Sequence, residues 1–174
     1  MSVINKYFIA FGANLGEIEE NFKKAAKLIE QRLGKITLKS SLYSSEALTL
    51  DDTQSEASSY INCVVQLESE KSEQELLEQL NLIEQDLGRV RKKKWDSRII
   101  DLDIIANAQN VISTKSLSIP HKEMHKRTFV LVPLLEIAPN WKHPLFNKTA
   151  KQLIDDLKEK TPCEILKSFP DYES

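Results

Sequence analysis

The sequence predicts an α+β protein with a strand–helix–strand–strand–helix–strand core, and three observations carry that expectation. Apolar residues alternate at a period of two, or recur at three and four, in that order from the N-terminus to Ile105. The 174 residues suit one domain, 1–174, around a single core, at about 150 residues per domain. The hydrophobic share of 41%, the charged share of 29% and a net charge of −2 are those of a globular chain rather than a disordered one. The longest nearly continuous apolar stretch, Phe129 to Leu135, falls far short of the ~20 residues that span a bilayer. No charged segment leads into an apolar one at Met1 to Lys6, so the expectation is a cytoplasmic protein without a membrane partner.

Each element has its own signal. Val3 to Phe11 is rich in β-branched and aromatic residues and stops at Gly12-Ala-Asn-Leu-Gly16, which predicts a strand and a tight turn. Ile18, Phe22, Ala25, Ile29 and Leu33 form one helical stripe, with Gly34 as its expected C-terminal glycine and Lys23, Lys24 and Lys27 facing water. Ile36 to Tyr43 reads as one strand, and the aperiodic segment 44–59 as a long, functional loop. In Tyr60 to Leu67, Ile61, Cys63, Val65 and Leu67 take one face, and Tyr60, Asn62, Val64 and Gln66 the other. Ser72 and Glu75 have capping-box spacing ahead of a stripe of Leu76, Leu80, Ile83 and Leu87 that closes at Gly88. Ile99 to Ile105 reads as a strand despite two carboxylates. Beyond it the expectations are a short strand near Val111-Ile112, a helix over Val130 to Ile137, a helix over Lys148 to Lys158 and a loose tail from Pro170. The order matches the split-βαβ, ferredoxin-like plan, with helices on one face of the sheet and the other face or its mouth left for ligands. Cys63 and Cys163 form no paired motif, and Cys63 reads as a small buried hydrophobe.

Asp101 and Asp103 stand two apart on the last strand of this core, so their side chains leave the same face with Cα atoms roughly 7 Å apart. An unpaired carboxylate in so apolar a strand would cost several kcal/mol, so cations must balance both. Magnesium shared with substrate phosphates is one answer, and pairing with arginines of the preceding segment is another. That segment holds Arg89, Arg91, Lys92, Lys93, Lys94 and Arg98 around Trp95. Guanidinium forks, metal and an indole face suit a nucleoside triphosphate. A solvated basic loop and a nucleic-acid contact are the other two readings. Gly12 to Gly16 is not a Walker loop, and neither G-x-G-x-x-G nor G-x-S-x-G occurs. His121 and His125 are four apart, but no Glu follows His121 and Pro120 marks a turn, which argues against zinc. His121 is better suited to donate to phosphate, alongside Arg127. His143, between Lys142 and Pro144, reads as a surface residue.

Taken together, Phe8-Ile-Ala-Phe-Gly-Ala-Asn-Leu-Gly16, Tyr60-Ile-Asn62, Gly88-Arg-Val-Arg91 with Trp95 and Arg98-Ile-Ile-Asp-Leu-Asp-Ile104, and Ile119-Pro-His121 with Met124, Arg127 and Phe129 give a recognisable pattern. Over nearly its whole length the chain resembles the 6-hydroxymethyl-7,8-dihydropterin pyrophosphokinases of folate synthesis. The resemblance implies a three-layer α-β-α fold on a ferredoxin-like core, and transfer of the β,γ-pyrophosphoryl group of ATP to the pterin hydroxymethyl oxygen, leaving AMP. It implies that Asp101 and Asp103 hold two magnesium ions and that Arg89 and Arg98 stabilise the reacting phosphates. Glu84, Arg91, Ile104, His121 and Arg127 would belong to the ATP site. Ser45, Leu48, Tyr60, Asn62, Trp95 and Phe129 would line the pterin pocket, with the pterin ring between Trp95 and Phe129. Segments around 44–59 and 89–97 would close over the substrates and exclude water. The expected partners are small-molecule substrates, with neither nucleic acid nor membrane, and the expected state is a monomer. The chain departs from the pattern at Asp96-Ser97, where the family usually has Gly-Pro, and at Tyr43-Ser-Ser-Glu-Ala-Leu48, which lacks the usual prolines and glycine. Two alternatives stay open: the same fold with an altered acceptor or lost activity, and a non-catalytic nucleotide- or nucleic-acid-binding module using residues 89–98.

Overall fold

In the computed structural model, residues 3–45, 60–88, 99–108 and 110–173 are described. The first strand, β1 (Asn5–Ala13), fills both faces of a sheet, which explains its apolar density. Tyr7, Ile9, Phe11 and Ala13 enter one core, and Phe8 enters a second core on the opposite face, with Ala10 packed against it. The first core is closed by α1 (Ile18–Arg32), through Phe22, Ala25, Ala26 and Ile29, and by α2 (Glu73–Asp86), through Leu76, Leu80 and Ile83. Ser72 caps α2 by accepting from the Glu75 N–H, as its spacing predicts.

The strands that follow are β2 (Gly34–Lys39), β3 (Leu42–Ser45), β4 (Tyr60–Ser69) and β5 (Asp101–Asn107), with β10 (Cys163–Lys167) near the C-terminus. They lie in the order β10-β3-β4-β1-β5 with β2 also on β4, and every pairing is antiparallel. Strands of the core therefore sit as in a ferredoxin-like sheet, with β5 at one edge. Between β5 and the second-face helices lie a hairpin, β6 (Ile112–Ser113) and β7 (Ser118–Ile119), and a 3-10 turn over Met124–Lys126. Then come α3 (Thr128–Ile137), a hairpin of β8 (Lys142–His143) and β9 (Lys148–Thr149), and α4 (Ala150–Asp155).

Several expectations are corrected. Helices cover both faces: Phe8, Val64, Ile105 and Ala106 make the second face apolar too, and Val130, Leu131 and Leu134 of α3 with Ala150 and Leu153 of α4 bury it. The layers are α-β-α. The single strand expected over Ile36 to Tyr43 is two, because Lys39 pairs with Val65 but Tyr43 with Asn62, leaving three residues opposite two. The buried Ser40 closes this bulge by accepting from the Val64 N–H while its own N–H donates to the Val64 carbonyl. Gly34 does not supply a left-handed helix end; it opens β2 where a Cβ would lie 2.1 Å from the Glu68 carbonyl oxygen. Gly88, at φ 95°, does end α2 in that way. The helix expected over Lys148 to Lys158 shrinks to α4, started by a capping box at Thr149 and Gln152. The tail is not loose: Phe169 is buried, and Tyr172 donates to Glu30 at 2.9 Å. His143 is no surface residue but 2% exposed, packed edge-on against Trp141 and His125 and at a tilt against Phe146.

Candidate active site

Register brings the sequence-distant candidates together. Gly12 on β1 stands opposite Asn62 on β4 and Asp101 on β5, Ala10 opposite Asp103, and Tyr43 on β3 opposite Asn62. A row Tyr43–Asn62–Gly12–Asp101 thus crosses the sheet on the face toward α3. Gly12 has no side chain, so the sheet is indented there, and a Cβ at that point would meet Asn62 Oδ1 at 3.1 Å. Asn62 itself is buried and donates from Nδ2 to Ser45 Oγ at 2.9 Å, so its carbonyl oxygen is the atom beside Gly12.

Two hollows meet at the end of this row. The smaller, about 50 Å³, has Ala10, Gly12 and Asn62 as its floor and Met124, Arg127 and Phe129 on the helical side. The larger, about 400 Å³, opens along the edge strand β5, between Glu84 of α2 and the β6–β7 hairpin. Asp101, Asp103 and His121 line both. Any ligand pair bound in the two hollows would therefore meet at two carboxylates and one imidazole.

Each of these groups is held by its own local structure. Leu102, between the two aspartates, turns to the opposite face into the first core, and its backbone N–H donates to the buried Glu84 Oε2 at 2.7 Å. That bond ties α2 to the strand bearing the aspartates. His121 is tied to β5 by its N–H, which donates to the Ile105 carbonyl at 2.8 Å. Its Nδ1 accepts from the Glu123 N–H at 3.1 Å, so the proton of the neutral ring sits on Nε2. Burial, and then the neighbouring Arg127 charge, push the His121 pKa below its ordinary value, which keeps the ring a neutral donor at pH 7. The Arg127 guanidinium lies 5.6 Å from the centre of the Phe129 ring, a cation–π contact that joins the charged and aromatic walls.

Of the residues expected at the site, Asn62, Asp101, Asp103, His121, Arg127 and Phe129 surround the smaller hollow, and Glu84 and Ile104 join the larger. Among the described residues, Ser45 and Tyr60 line neither; they pair with each other across β3 and β4, Tyr60 two residues before Asn62 on its own strand and Ser45 on the next. Leu48, Arg89, Arg91, Trp95 and Arg98 lie outside the described residues. Gly12, Ala10 and Val130, outside the expected site residues, also line the smaller hollow, and Asn81, Lys115 and Lys122 are among those lining the larger. Only register, which pairs residues fifty and ninety positions apart, makes Gly12 part of a site.

The sequence model of the family "7,8-dihydro-6-hydroxymethylpterin-pyrophosphokinase (HPPK)" matches residues 8–139. The chain belongs to this family. It is 38% identical to the 2-amino-4-hydroxy-6-hydroxymethyldihydropteridine pyrophosphokinase of Haemophilus influenzae, over 85% of this chain and 92% of that one. With the protein of that name from Aquifex aeolicus it shares 34% identity over 92% of this chain and 97% of that one. Among solved structures, HPPK-DHPS of Plasmodium falciparum superposes with a TM-score of 0.69 at 17% identity, covering 89% of this chain and 44% of that one. That likeness is one of fold, and the chain spans less than half of the Plasmodium protein. The family match runs from Phe8, within β1, through α3, and with it covers the described groups at both hollows. The strand β10 and the pinned tail lie beyond it.

Proposed function

We propose that this chain transfers the β,γ-pyrophosphoryl group of ATP to the hydroxymethyl oxygen of 6-hydroxymethyl-7,8-dihydropterin, giving the pterin diphosphate and AMP in folate biosynthesis. Membership of the family supports this reading. The observation that carries it within the structure is the shared lining of the two hollows: a compact one with an amide and an aromatic ring, and a larger one, joined at Asp101, Asp103 and His121. The pterin takes the smaller hollow. There Asn62 offers its carbonyl oxygen to a ring N–H and Phe129 offers a ring face; the family resemblance adds Trp95 and Leu48 as pterin contacts, and Ser45 and Tyr60 support Asn62 from behind the hollow. ATP takes the larger, in contact with Glu84, Ile104 and His121, with Arg127 reaching its phosphates from the smaller hollow, and the resemblance adds Arg91.

The reaction forms one bond, from the hydroxymethyl oxygen to the β-phosphorus, and breaks one, from the β-phosphorus to the oxygen that leaves on AMP; the hydroxyl proton is released. Such a transfer needs alignment and charge neutralisation more than a nucleophilic side chain. Asp101 and Asp103 are hard oxygen donors on one strand, and among the described residues no group of three or more His, Cys, Asp or Glu could hold a metal alone. Two carboxylates with substrate phosphates and water completing the shell are a mode magnesium adopts, so the residues fit that ion, and the family resemblance implies two of them. Bound there, magnesium would neutralise the phosphate oxygens and lower the barrier to attack. His121 donates from Nε2 to a phosphate oxygen, Arg127 neutralises the same group, and Arg89 and Arg98 stabilise charge on the transferred and leaving phosphates.

The same reading makes residues 1–174 one working domain, a cytoplasmic monomer that takes small molecules and neither nucleic acid nor membrane. Among the described residues no helix is long and apolar enough to cross a membrane. The test is Asp103→Ala, assayed for AMP formation and for oligonucleotide binding. Loss of a metal ligand should lower turnover by at least ~10²-fold, on the scale of removing a preorganised charge-stabilising group. Retained turnover would remove Asp103 from the metal site, whereas absence of turnover in the unaltered chain, with salt-sensitive oligonucleotide binding that tightens when the carboxylate is removed, would replace this reading with the nucleic-acid one.

A further inference from the structure

Glu136, at the last turn of α3, touches neither hollow yet is bonded to the strand behind Asn62. Its carboxylate accepts from the Ser41 N–H at 3.0 and 3.1 Å, from the Ser41 hydroxyl at 3.0 Å and from the Tyr43 hydroxyl at 2.5 Å. Hydrogen bonds to an ionised acceptor are roughly twice as strong as neutral ones. They converge on the bulge between β2 and β3, where the extra residue has slipped the register by one. A one-residue slip moves a strand's side chains to the opposite face. It is this slip that puts Tyr43 and Ser45 on the face of Asn62, with Leu42 in the first core. Ser45, buried and two residues beyond Tyr43, then accepts from Asn62 Nδ2 at 2.9 Å.

We infer that Glu136 is a positioning residue for the smaller hollow: by anchoring Ser41 and Tyr43 it keeps β3 in the slipped register, and Ser45 then holds the Asn62 amide with its carbonyl oxygen over Gly12. β3 is otherwise held by Leu42 in the first core and by its two neighbouring strands, none of which bonds the Tyr43 hydroxyl. It meets β4 through Tyr43, Ser44 and Ser45, and its pairing with β10 is itself irregular beyond Ile165. Without the carboxylate, Tyr43 loses its acceptor, the bulge can relax, and Asn62 is free to turn its amide. The inference rests on the pterin reading of that hollow.

Glu136→Ala, Glu136→Gln and Tyr43→Phe would be compared with the unaltered chain by steady-state kinetics and by NMR of the Asn62 side-chain amide, assigned by its loss in Asn62→Ser. Glu136→Ala should raise the pterin KM roughly tenfold while the ATP KM and kcat move less than about twofold, the scale of losing charge-assisted hydrogen bonds that bear on one pocket only. The Asn62 amide protons should shift and exchange faster. Glu136→Gln, whose carbonyl still accepts from Ser41, should recover most of both. If Glu136→Ala does not fold, Tyr43→Phe carries the same test with one bond removed. Equal rises in both KM values, or an Asn62 amide signal unchanged by any of these variants, would overturn the inference. Should the unaltered chain make no pterin-dependent AMP while the amide signal still follows Glu136, the anchor stands and the pterin reading falls.

Discussion

At Gly12 a methyl group would stand 3.1 Å from Asn62 Oδ1, tight enough that the amide must yield. The backbone there is ordinary, so the constraint is space. Gly12→Ala should therefore fold normally and raise the pterin KM by roughly tenfold or more with little change in the ATP KM, since overpacking costs about 1–3 kcal/mol. Substrate titrations check this, and an equal effect on both substrates would show that the two hollows are not separate sites. His143 makes a different residue-scale prediction. Burial, and then the nearby His125, lower its pKa from the model-peptide value of 6.5, and its Nδ1 accepts from the Leu145 N–H at 3.2 Å. The folded form favours the neutral ring, so the unfolded chain binds more protons in acid. Stability from this site is complete above about pH 6.5 and is lost as pH falls through the lower folded value. Denaturant unfolding from pH 8 to pH 5 should show that loss, and His143→Gln should flatten it.

The helices α1 and α2 were legible because each buries the stripe that its period announces, and β1, β4 and β5 because central strands buried on both faces are rich in β-branched and aromatic residues. Asp101 and Asp103 could be read as sharing a face, and Asn62 as lying on one with Tyr60, from alternation alone. What alternation cannot show is a change of register. Nothing in Ser40-Ser41 marks a bulge, yet that extra residue decides which face Tyr43 and Ser45 take. Gly34 was misread for a related reason: a glycine after a helical stripe suggests a helix end, whereas its use is close approach to β4. Gly34→Ala would place a Cβ 2.1 Å from the Glu68 carbonyl oxygen, a backbone atom that cannot swing aside. The expected loss is about 2 kcal/mol or more, a fall in Tm of about 4–8 °C for a protein of this size. Thermal unfolding checks it, and an unchanged Tm would mean that β2 and β4 separate there without penalty.

Across the whole molecule, the site exists because two layers end at one edge of the sheet. α2 and the β6–β7 hairpin flank β5 on one side, and α3 with the turn before it roofs β1 and β4 on the other. The second helical layer was not legible in the element order up to Ile105, because the segments that build it follow that core. His143 was misplaced for the same reason: its charged and proline neighbours look superficial, while Trp141 and Phe146 close over it. The acidic pair Asp101 and Asp103 was legible from spacing, but where the two hollows join depends on contacts between strands far apart in sequence. The central claim is that this junction joins ATP to a pterin. The measurement that tests it most directly is AMP formation by the purified chain given ATP, magnesium and 6-hydroxymethyl-7,8-dihydropterin, beside reactions lacking pterin or metal. AMP should appear only when all three are present; ATP bound with no AMP formed, or AMP formed without the pterin, would contradict it.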